Sequence, residues 1–413
     1  MTTQTVQNVT APLLSDQVVP PRESYGKLFL RFLRFGAMAW GGPVAQIGMI
    51  RQELVDEEQW ISSEQFSRVL AVYQVLPGPE AHELCVYFGM QARGRIGGLI
   101  AGLGFMLPGF LLMLLLSWVY VTYGITSALF AGAFYGMQAV VGALILRAVH
   151  RIGGHSLHNK WMWGITLLAF AAQIAGVNFV LTLAAAGGMY VLVKRKLVSA
   201  AVILGILCVI GIVFLGINTL TVSDPTMLND TASTGSGSVS ELRLFSSGLR
   251  SGLLTFGGAY TVIPYLQKDA VIDGGWMTNA QFLDGLALSG ILPAPLVIFG
   301  TFVGYAGGGL VGAIAVTLGI FLPAFAFTLL GHNVMERLIA NTALHSFLDG
   351  VTAGVVGLIA ATTLVLLRDA ITDLPALVIF GAGLLVLYRW KSKLNVPVVV
   401  LAAALAGLLI ASF

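Results

Sequence analysis

Residues 74–109 read QVLPGPEAHELCVYFGMQARGRIGGLIAGLGFMLPG, and residues 288–325 read LSGILPAPLVIFGTFVGYAGGGLVGAIAVTLGIFLPAF. Leu76, Pro77 and Pro79 fall on Leu292, Pro293 and Pro295 at a shift of 216. One residue is then lost, and at a shift of 215 Gly89, Gly94, Gly97, Gly104, Pro108 and Phe110 fall on Gly304, Gly309, Gly312, Gly319, Pro323 and Phe325. The register extends backwards. Phe29, Leu33, Arg34, Gly36, Gly41 and Gly42 match Phe245, Leu249, Arg250, Gly252, Gly257 and Gly258, and Trp60, Gln65 and Phe66 match Trp276, Gln281 and Phe282. Chance does not keep glycines, prolines and a tryptophan in step over such a length, so the chain is an internal duplication.

Composition fixes the solvent. Of 413 residues, 57% are hydrophobic and 10% charged, against about 25% charged in soluble domains. So few charges cannot cover a water-facing surface, which excludes a soluble enzyme, and a disordered chain needs the opposite balance. The net charge of +3 comes from basic residues in short loops, the pattern of a membrane protein's cytoplasmic side, and calls for no nucleic-acid partner. Cys85 and Cys208 lie in apolar segments and read as reduced packing residues.

Apolar segments run over about 28–50, 66–90, 97–122, 126–149, 161–176, 178–193 and 197–219, then 245–268, 282–306, 308–332, 346–368, 373–389 and 396–412. The expected fold is therefore an all-α polytopic membrane protein of about thirteen transmembrane segments, in two inverted repeats with broken helices. Residues 1–27 read as a polar cytoplasmic tail, 28–219 as the first repeat, 220–244 as a flexible linker containing TASTGSGS, and 245–413 as the second repeat. An odd number of segments before the second repeat inverts it. Loop charge agrees: Arg22, Lys27, Arg31 and Arg34 set the N-terminus inside, Arg93 and Arg95, Arg147, Arg151 and Lys160, and Lys194 to Lys196 follow inside, and the acid-rich 51–64 loop is expected outside.

Glycine and proline interrupt the segments at matched places. Trp40-Gly41-Gly42-Pro43 pairs with Phe256-Gly257-Gly258-Ala259-Tyr260, and Pro77-Gly78-Pro79-Glu80 pairs with Pro293-Ala294-Pro295. Proline removes a backbone donor and stops a helix, and a restarted helix presents free N–H groups and a positive dipole end to an anion. Paired breaks across inverted repeats are where a transporter holds its substrate, whereas a lone kink serves packing. Gly41, Gly42, Pro43, Pro77, Gly78, Pro79, Gly257, Gly258, Tyr260, Pro293 and Pro295 are the candidate substrate-binding set, with Arg34 and Lys268 as neutralising cations. Glu80, His82 and Glu83 follow the first Pro-x-Pro break, where the second repeat has Leu296, Ile298 and Phe299. An ionisable group inside a span is a functional candidate. Glu80 is either a cap on the new helix or a coupled proton carrier, with His82 or Glu83 as relay. Asp284 reads as a cap near a segment start, and Arg147 as a snorkelling end residue. His150, His155 and His158 lie in a basic loop without carboxylate or cysteine, so no metal and no cofactor is expected. No P-loop is present, which points to an ion gradient as energy source.

The quoted segments, with FLRFGAMAWGGPVAQIGMI at 32–50 and GLLTFGGAYTVIPYL at 252–266, resemble the chromate ion transporter family in its two-domain, long-chain type, over about 30–410. The resemblance implies a multi-pass inner-membrane protein, not an enzyme, that expels chromate under the proton-motive force and confers chromate resistance. Its expected partners are chromate or sulfate, protons and the bilayer, with a homodimer open. The alternatives are sulfate or other oxyanion transport or exchange, a passive anion channel, and an integral-membrane enzyme or lipid-handling protein. The last would need a polar cluster larger than Glu80, His82 and Glu83.

Overall fold

The computed structural model describes residues 21–124, 128–221, 239–256, 258–339 and 342–412. Most of the 1–27 tail, the TASTGSGS stretch and Gly257 lie outside the described residues. The described elements are helical: α1 (Tyr25–Ala37), α2 (Gly42–Arg51), α3 (Ser63–Val75), α4 (Glu80–Val119), α5 (Ala128–Ser156), α6 (Lys160–Ile174), α7 (Phe179–Lys194), α8 (Val198–Thr221), α9 (Glu241–Leu253), α10 (Val262–Gln267), α11 (Asn279–Gly290), α12 (Phe299–Ile339), α13 (Thr342–Ala370), α14 (Leu374–Arg389) and α15 (Asn395–Ala411).

Local chemistry sets the boundaries. Ser24 and Ser62 cap α1 and α3 by accepting from the N–H groups of Lys27 and Gln65. Between α1 and α2, Gly41 (φ 90°) and Gly42 (φ 77°) take left-handed conformations that other residues resist. In α4, Arg93 (φ −144°) and Gly94 (φ 64°) interrupt the helical backbone. The two arms, 80–92 and 95–119, lie side by side: a Cβ on Gly89 would stand 2.4 Å from the Gly97 carbonyl oxygen, and one on Gly98 would stand 2.9 Å from that of Val86. In a continuous helix, residues eight apart are separated by about 12 Å. The chain therefore reverses at Arg93–Gly94.

The breaks before it are reversals too. Arg31, on α1, bonds Glu53 (2.9 Å) and Glu58 (2.6 Å) beyond α2, as well as Glu23 (2.6 Å), and Arg93 donates to the Glu23 carbonyl at 2.6 Å. At the start of α3, Gln65 donates to Tyr87 (3.1 Å) and Phe66 stacks on Phe88. So α1 and α2 run in and back, as do α3 and the first arm of α4. The expected segments 28–50 and 66–90 are each folded in two at their break, and a count of thirteen straight crossings does not describe them. The 51–64 loop, expected on the far side, returns to the end that holds Glu23 and Arg93. Hydropathy measures the length of an apolar run and is blind to a reversal within it.

The second repeat is built alike. Arg243, on α9, donates to the Asp273 carbonyl (2.8 Å), Trp276 donates to Val303 (3.3 Å), and the Val239 N–H donates to Gly307 (3.2 Å). Gly308 (φ −159°) and Gly309 (φ 57°) reverse α12 as Arg93 and Gly94 reverse α4. The π-helical turns at Gln52–Glu57 and Lys268–Ile272 also correspond.

The second arms of α4 and α12 run past one another in opposite directions, as Gly98 meets Leu329 and Gly102 meets Phe325. Further along, Gly109 meets Ala294 of the second Pro-x-Pro break, and Tyr120, just past α4, reaches Asp284 of α11. The remaining contacts are reciprocal: α14 and α15 of the second repeat pack on α5, and α6 and α7 of the first pack on α13. Among the described residues, Glu80–Tyr123, Phe130–Ser156, Leu296–Gly331 and Ala343–Ala370 are long and apolar enough to cross a membrane. The crossing part of the first and third is the second arm. Helices α6, α7, α14 and α15, of 15 to 17 residues, are about 22–26 Å long, less than the roughly 30 Å of bilayer hydrocarbon.

Lipid offers helices no hydrophobic reason to associate, so close packing must hold them. A Cβ on Gly36 would stand 2.2 Å from the Phe105 carbonyl oxygen, and one on Gly252 would stand 2.3 Å from that of Ile320. These paired glycines let α1 and α9 lie directly against the long arms that carry the breaks.

Candidate functional site

The four breaks are the tips of the four hairpins, and the tips meet. Pro43, Pro79, Glu80, Gly258, Ala259 and Pro295 line one small space of about 10 Å³, room for about one water. The Gly78 N–H donates to the Thr255 carbonyl at 2.9 Å, joining the Pro-Gly-Pro tip of one repeat to the Gly-Gly tip of the other. Pro77, Gly78, Pro293 and Pro295 are buried in this junction. Pro79 stands at the N-cap of α4 with no side-chain cap bond there. Its carbonyl accepts from the N–H groups of His82 and Glu83.

A larger cavity of about 310 Å³ opens beside the tips. Trp40, Gly41, Gly42, Pro43 and Tyr260 form its tip side, with Ser289, Ala294 and Leu296. Arg147 and Arg151 of α5 and Lys391 and Lys393 of the α14–α15 loop form its other wall. The Arg151 guanidinium lies 5.9 Å from the centre of the Tyr260 ring, and its charge also reaches the Glu80 carboxylate. Among the lining residues no carboxylate offsets these four cations, so the cavity suits a small anion, which guanidinium groups can hold with paired hydrogen bonds.

The acids lie behind the tip. Glu80 is half-buried in the first turn of α4, while His82 and Glu83 are wholly buried. The His82 ring sits among Phe105, Phe321 and Phe325, with the Gly102 backbone beside it but outside hydrogen-bond geometry. Neither Glu83 oxygen has a hydrogen-bond partner, and Oε1 lies 3.0 Å from where a Gly78 Cβ would be. An unpaired buried carboxylate is costly and marks this tip as more than packing.

The structure thus brings together Gly41, Gly42, Pro43, Pro77, Gly78, Pro79, Glu80, His82, Glu83, Gly258, Tyr260, Pro293 and Pro295. Arg34 and Lys268 are elsewhere. Arg34 pairs with Glu53, and Lys268 with Asp273 at 2.7 Å, both at hairpin bases. Arg250, the counterpart of Arg34, pairs with Asp269. These cations are neutralised by neighbours that lie 5 to 19 residues away in sequence, beyond the reach of a helical i,i+4 reading. Asp284 is not a cap: Thr278 and Gln281 form the capping box of α11, and Asp284 lies inside the helix. Arg147 does not snorkel away but faces the cavity, as do Arg151, which sequence reasoning read as a topology signal, and Lys391 and Lys393. The available clue was that two basic loops from different repeats fall at the same expected membrane face.

The family model described as chromate transporter matches residues 26–222 and 242–408. A chromate transport protein from Pseudomonas aeruginosa is 55% identical over 95% of this chain and 94% of its own length. A chromate transport protein from Cupriavidus metallidurans is 31% identical over 94% of each chain, and a probable chromate transport protein from Synechococcus elongatus is 30% identical over 95% of this chain and 97% of its own. No solved structure matches the chain. With matched halves, tips that converge on a basic cavity and helices fit to cross a bilayer, this multi-pass membrane protein belongs to the chromate transporter family.

Proposed function

We propose that this protein is a secondary-active transporter that exports chromate across the inner membrane, driven by the proton-motive force, and so confers chromate resistance. The observation that carries this reading is the cavity lined by Arg147, Arg151, Lys391 and Lys393 against the Gly41–Pro43 tip. The four cations draw in a dianion, and the N-terminus of α2 at Gly42–Ala45 borders the same cavity with the positive end of its dipole. The opposite course of the α4 and α12 long arms supports inverted repeats, and alternating access then rocks one repeat against the other around the fixed tips. Glu80, between Arg151 and the tip junction, is the coupling carboxylate, with Glu83 and His82 behind it. The basic residues Arg147 and Arg151 towards the end of α5 and Lys391 and Lys393 of the α14–α15 loop support an opening on the cytoplasmic side.

The test is chromate flux in everted vesicles with and without an imposed proton gradient, with sulfate as competitor. Gradient-dependent accumulation that saturates is expected. Flux that ignores the gradient and does not saturate would make the protein an anion channel. Sulfate is the second reading, because the same cavity chemistry suits any tetrahedral dianion. Sulfate moving while chromate does not would establish it in place of the first.

A further inference from the structure

Asp284 is a buried acid that the mechanism above leaves unused. It lies in α11, five residues before Ser289 of the cavity wall, about 8 Å along the helix axis. Tyr120, at the far end of the α4 long arm, donates its hydroxyl to Oδ2 at 2.7 Å, and Gln138 of α5 donates to Oδ1 at 2.7 Å. Both donors belong to the first repeat and the acceptor to the second. Gln138 is nine residues from Arg147 on α5, about 14 Å along that helix away from the basic cavity. The three side chains therefore tie the repeats together on the side of the tips away from the cavity.

The surroundings isolate this acid. Tyr120 is the titratable group that touches it. Asp369 of α13 is bonded instead to Asn279 at the start of α11, and Arg147 of α5 lies at the cavity. α12 presents Phe302, which packs on Tyr120 with Phe134 of α5, and α15 presents Val396 and Val400 to the end of α11. Among the described residues no cation forms an ion pair with Asp284. A carboxylate with two acceptor oxygens satisfies both donors. Protonation removes the charge that strengthens both bonds and turns one oxygen into a donor, so the tie to Tyr120 and Gln138 is weakened.

We propose that Tyr120, Gln138 and Asp284 form a latch that keeps the side away from the basic cavity closed, and that a proton arriving on Asp284 releases it. As a step in transport this rests on the reading given above: a proton from the far side opens that side and lets the anion leave. Replacing two hydrogen bonds to a charged acceptor by bonds to a neutral one favours the open form by about tenfold.

The test reads the latch directly. Phe134, which is buried against Tyr120, is replaced by Cys in a chain carrying Cys85→Ala and Cys208→Ala, and labelled with a membrane-impermeant maleimide from the far side at neutral and acid pH. Maleimide adds to the thiolate, so each rate is divided by that of an exposed control cysteine at the same pH, and this ratio should rise about tenfold at acid pH. Asp284→Asn mimics the protonated acid, with one acceptor for Gln138 and a neutral donor towards Tyr120, so labelling should be fast at both pH values. Tyr120→Phe should label fast at both. An acid response that survives in Asp284→Asn, or labelling indifferent to pH with Asp284 present, overturns the proposal. A latch that responds as expected in a protein that moves no oxyanion would instead overturn the transport reading and leave the latch standing.

Discussion

Arg151→Gln separates the cavity that the structure assembles from the cations that the sequence singled out. Gln keeps much of the stem and removes the charge. At an effective dielectric of about 20, two unit charges about 4 Å apart attract by about 4 kcal/mol, and a hydrogen bond to a charged group is worth about 1.5–3 kcal/mol. Arg151 is exposed in an open cavity, so water screens it and the lower figure applies. About 1.5 kcal/mol corresponds to a Kd roughly 13-fold weaker. Arg147 is half-buried in the same wall, and Arg147→Gln should approach the upper figure, about 100-fold. Arg34→Gln and Lys268→Gln remove charges already paired with Glu53 and Asp273 away from the cavity, and should leave affinity within about threefold. The assay is chromate binding to the purified protein by quenching of Trp40, which lines the cavity, with a Trp40→Phe variant to isolate its signal, and KM for flux in parallel. If Arg34→Gln or Lys268→Gln weakens binding more than Arg151→Gln, the cavity is not where the anion binds.

Glu80→Gln should fold and bind chromate but lose gradient-driven flux, and unchanged flux in everted vesicles would remove Glu80 from the coupling role. Gly36→Ala pushes a methyl group onto the Phe105 carbonyl oxygen, 2.2 Å away, and should cost about 1–3 kcal/mol, read as a lower Tm in detergent. The ion cluster at the base of the first hairpin gives a pH dependence. Burial opposes ionisation of Glu58, but hydrogen bonds from Arg31 and Trp60 outweigh it and hold its carboxyl below the usual carboxylate range. A depressed folded-state value means that its stabilisation is full above the unfolded value and is lost as pH falls through the folded one. The Tm of the unmodified protein should therefore drop more steeply below the usual carboxylate range than that of Glu58→Gln.

Much of the architecture was legible because it rests on local chemistry. The positions of the breaks followed from Gly41-Gly42 and Pro77-Gly78-Pro79, since positive φ and a missing N–H act within one turn. The Arg93–Gly94 reversal followed from the gap between apolar runs and from its match at Gly308–Gly309. The direction of the chain after each break was not legible. It depends on pairings such as Arg31 with Glu53 and Glu58, 22 and 27 residues apart, and no periodicity reports them. The pairing of Arg34 with Glu53 and of Lys268 with Asp273 was not legible for the same reason: a charge looks free in sequence until its partner is known. Asp284 looked like a cap because it stands near a segment start, and became the acceptor of Tyr120, 164 residues away.

By itself the sequence determined that the chain is helical, lives in a membrane, is duplicated, and breaks its helices at four matched points. Those properties follow from composition, from the fixed dihedral demands of glycine and proline, and from residue register. The tertiary structure alone decided that the breaks are hairpin tips that meet, that four basic side chains from two repeats wall one cavity beside them, and that the carboxylates lie behind the tip. These are relations between residues far apart in the chain, and in a bilayer they are settled by close packing at glycines such as Gly36 and Gly252 and by buried hydrogen bonds, which no single segment contains.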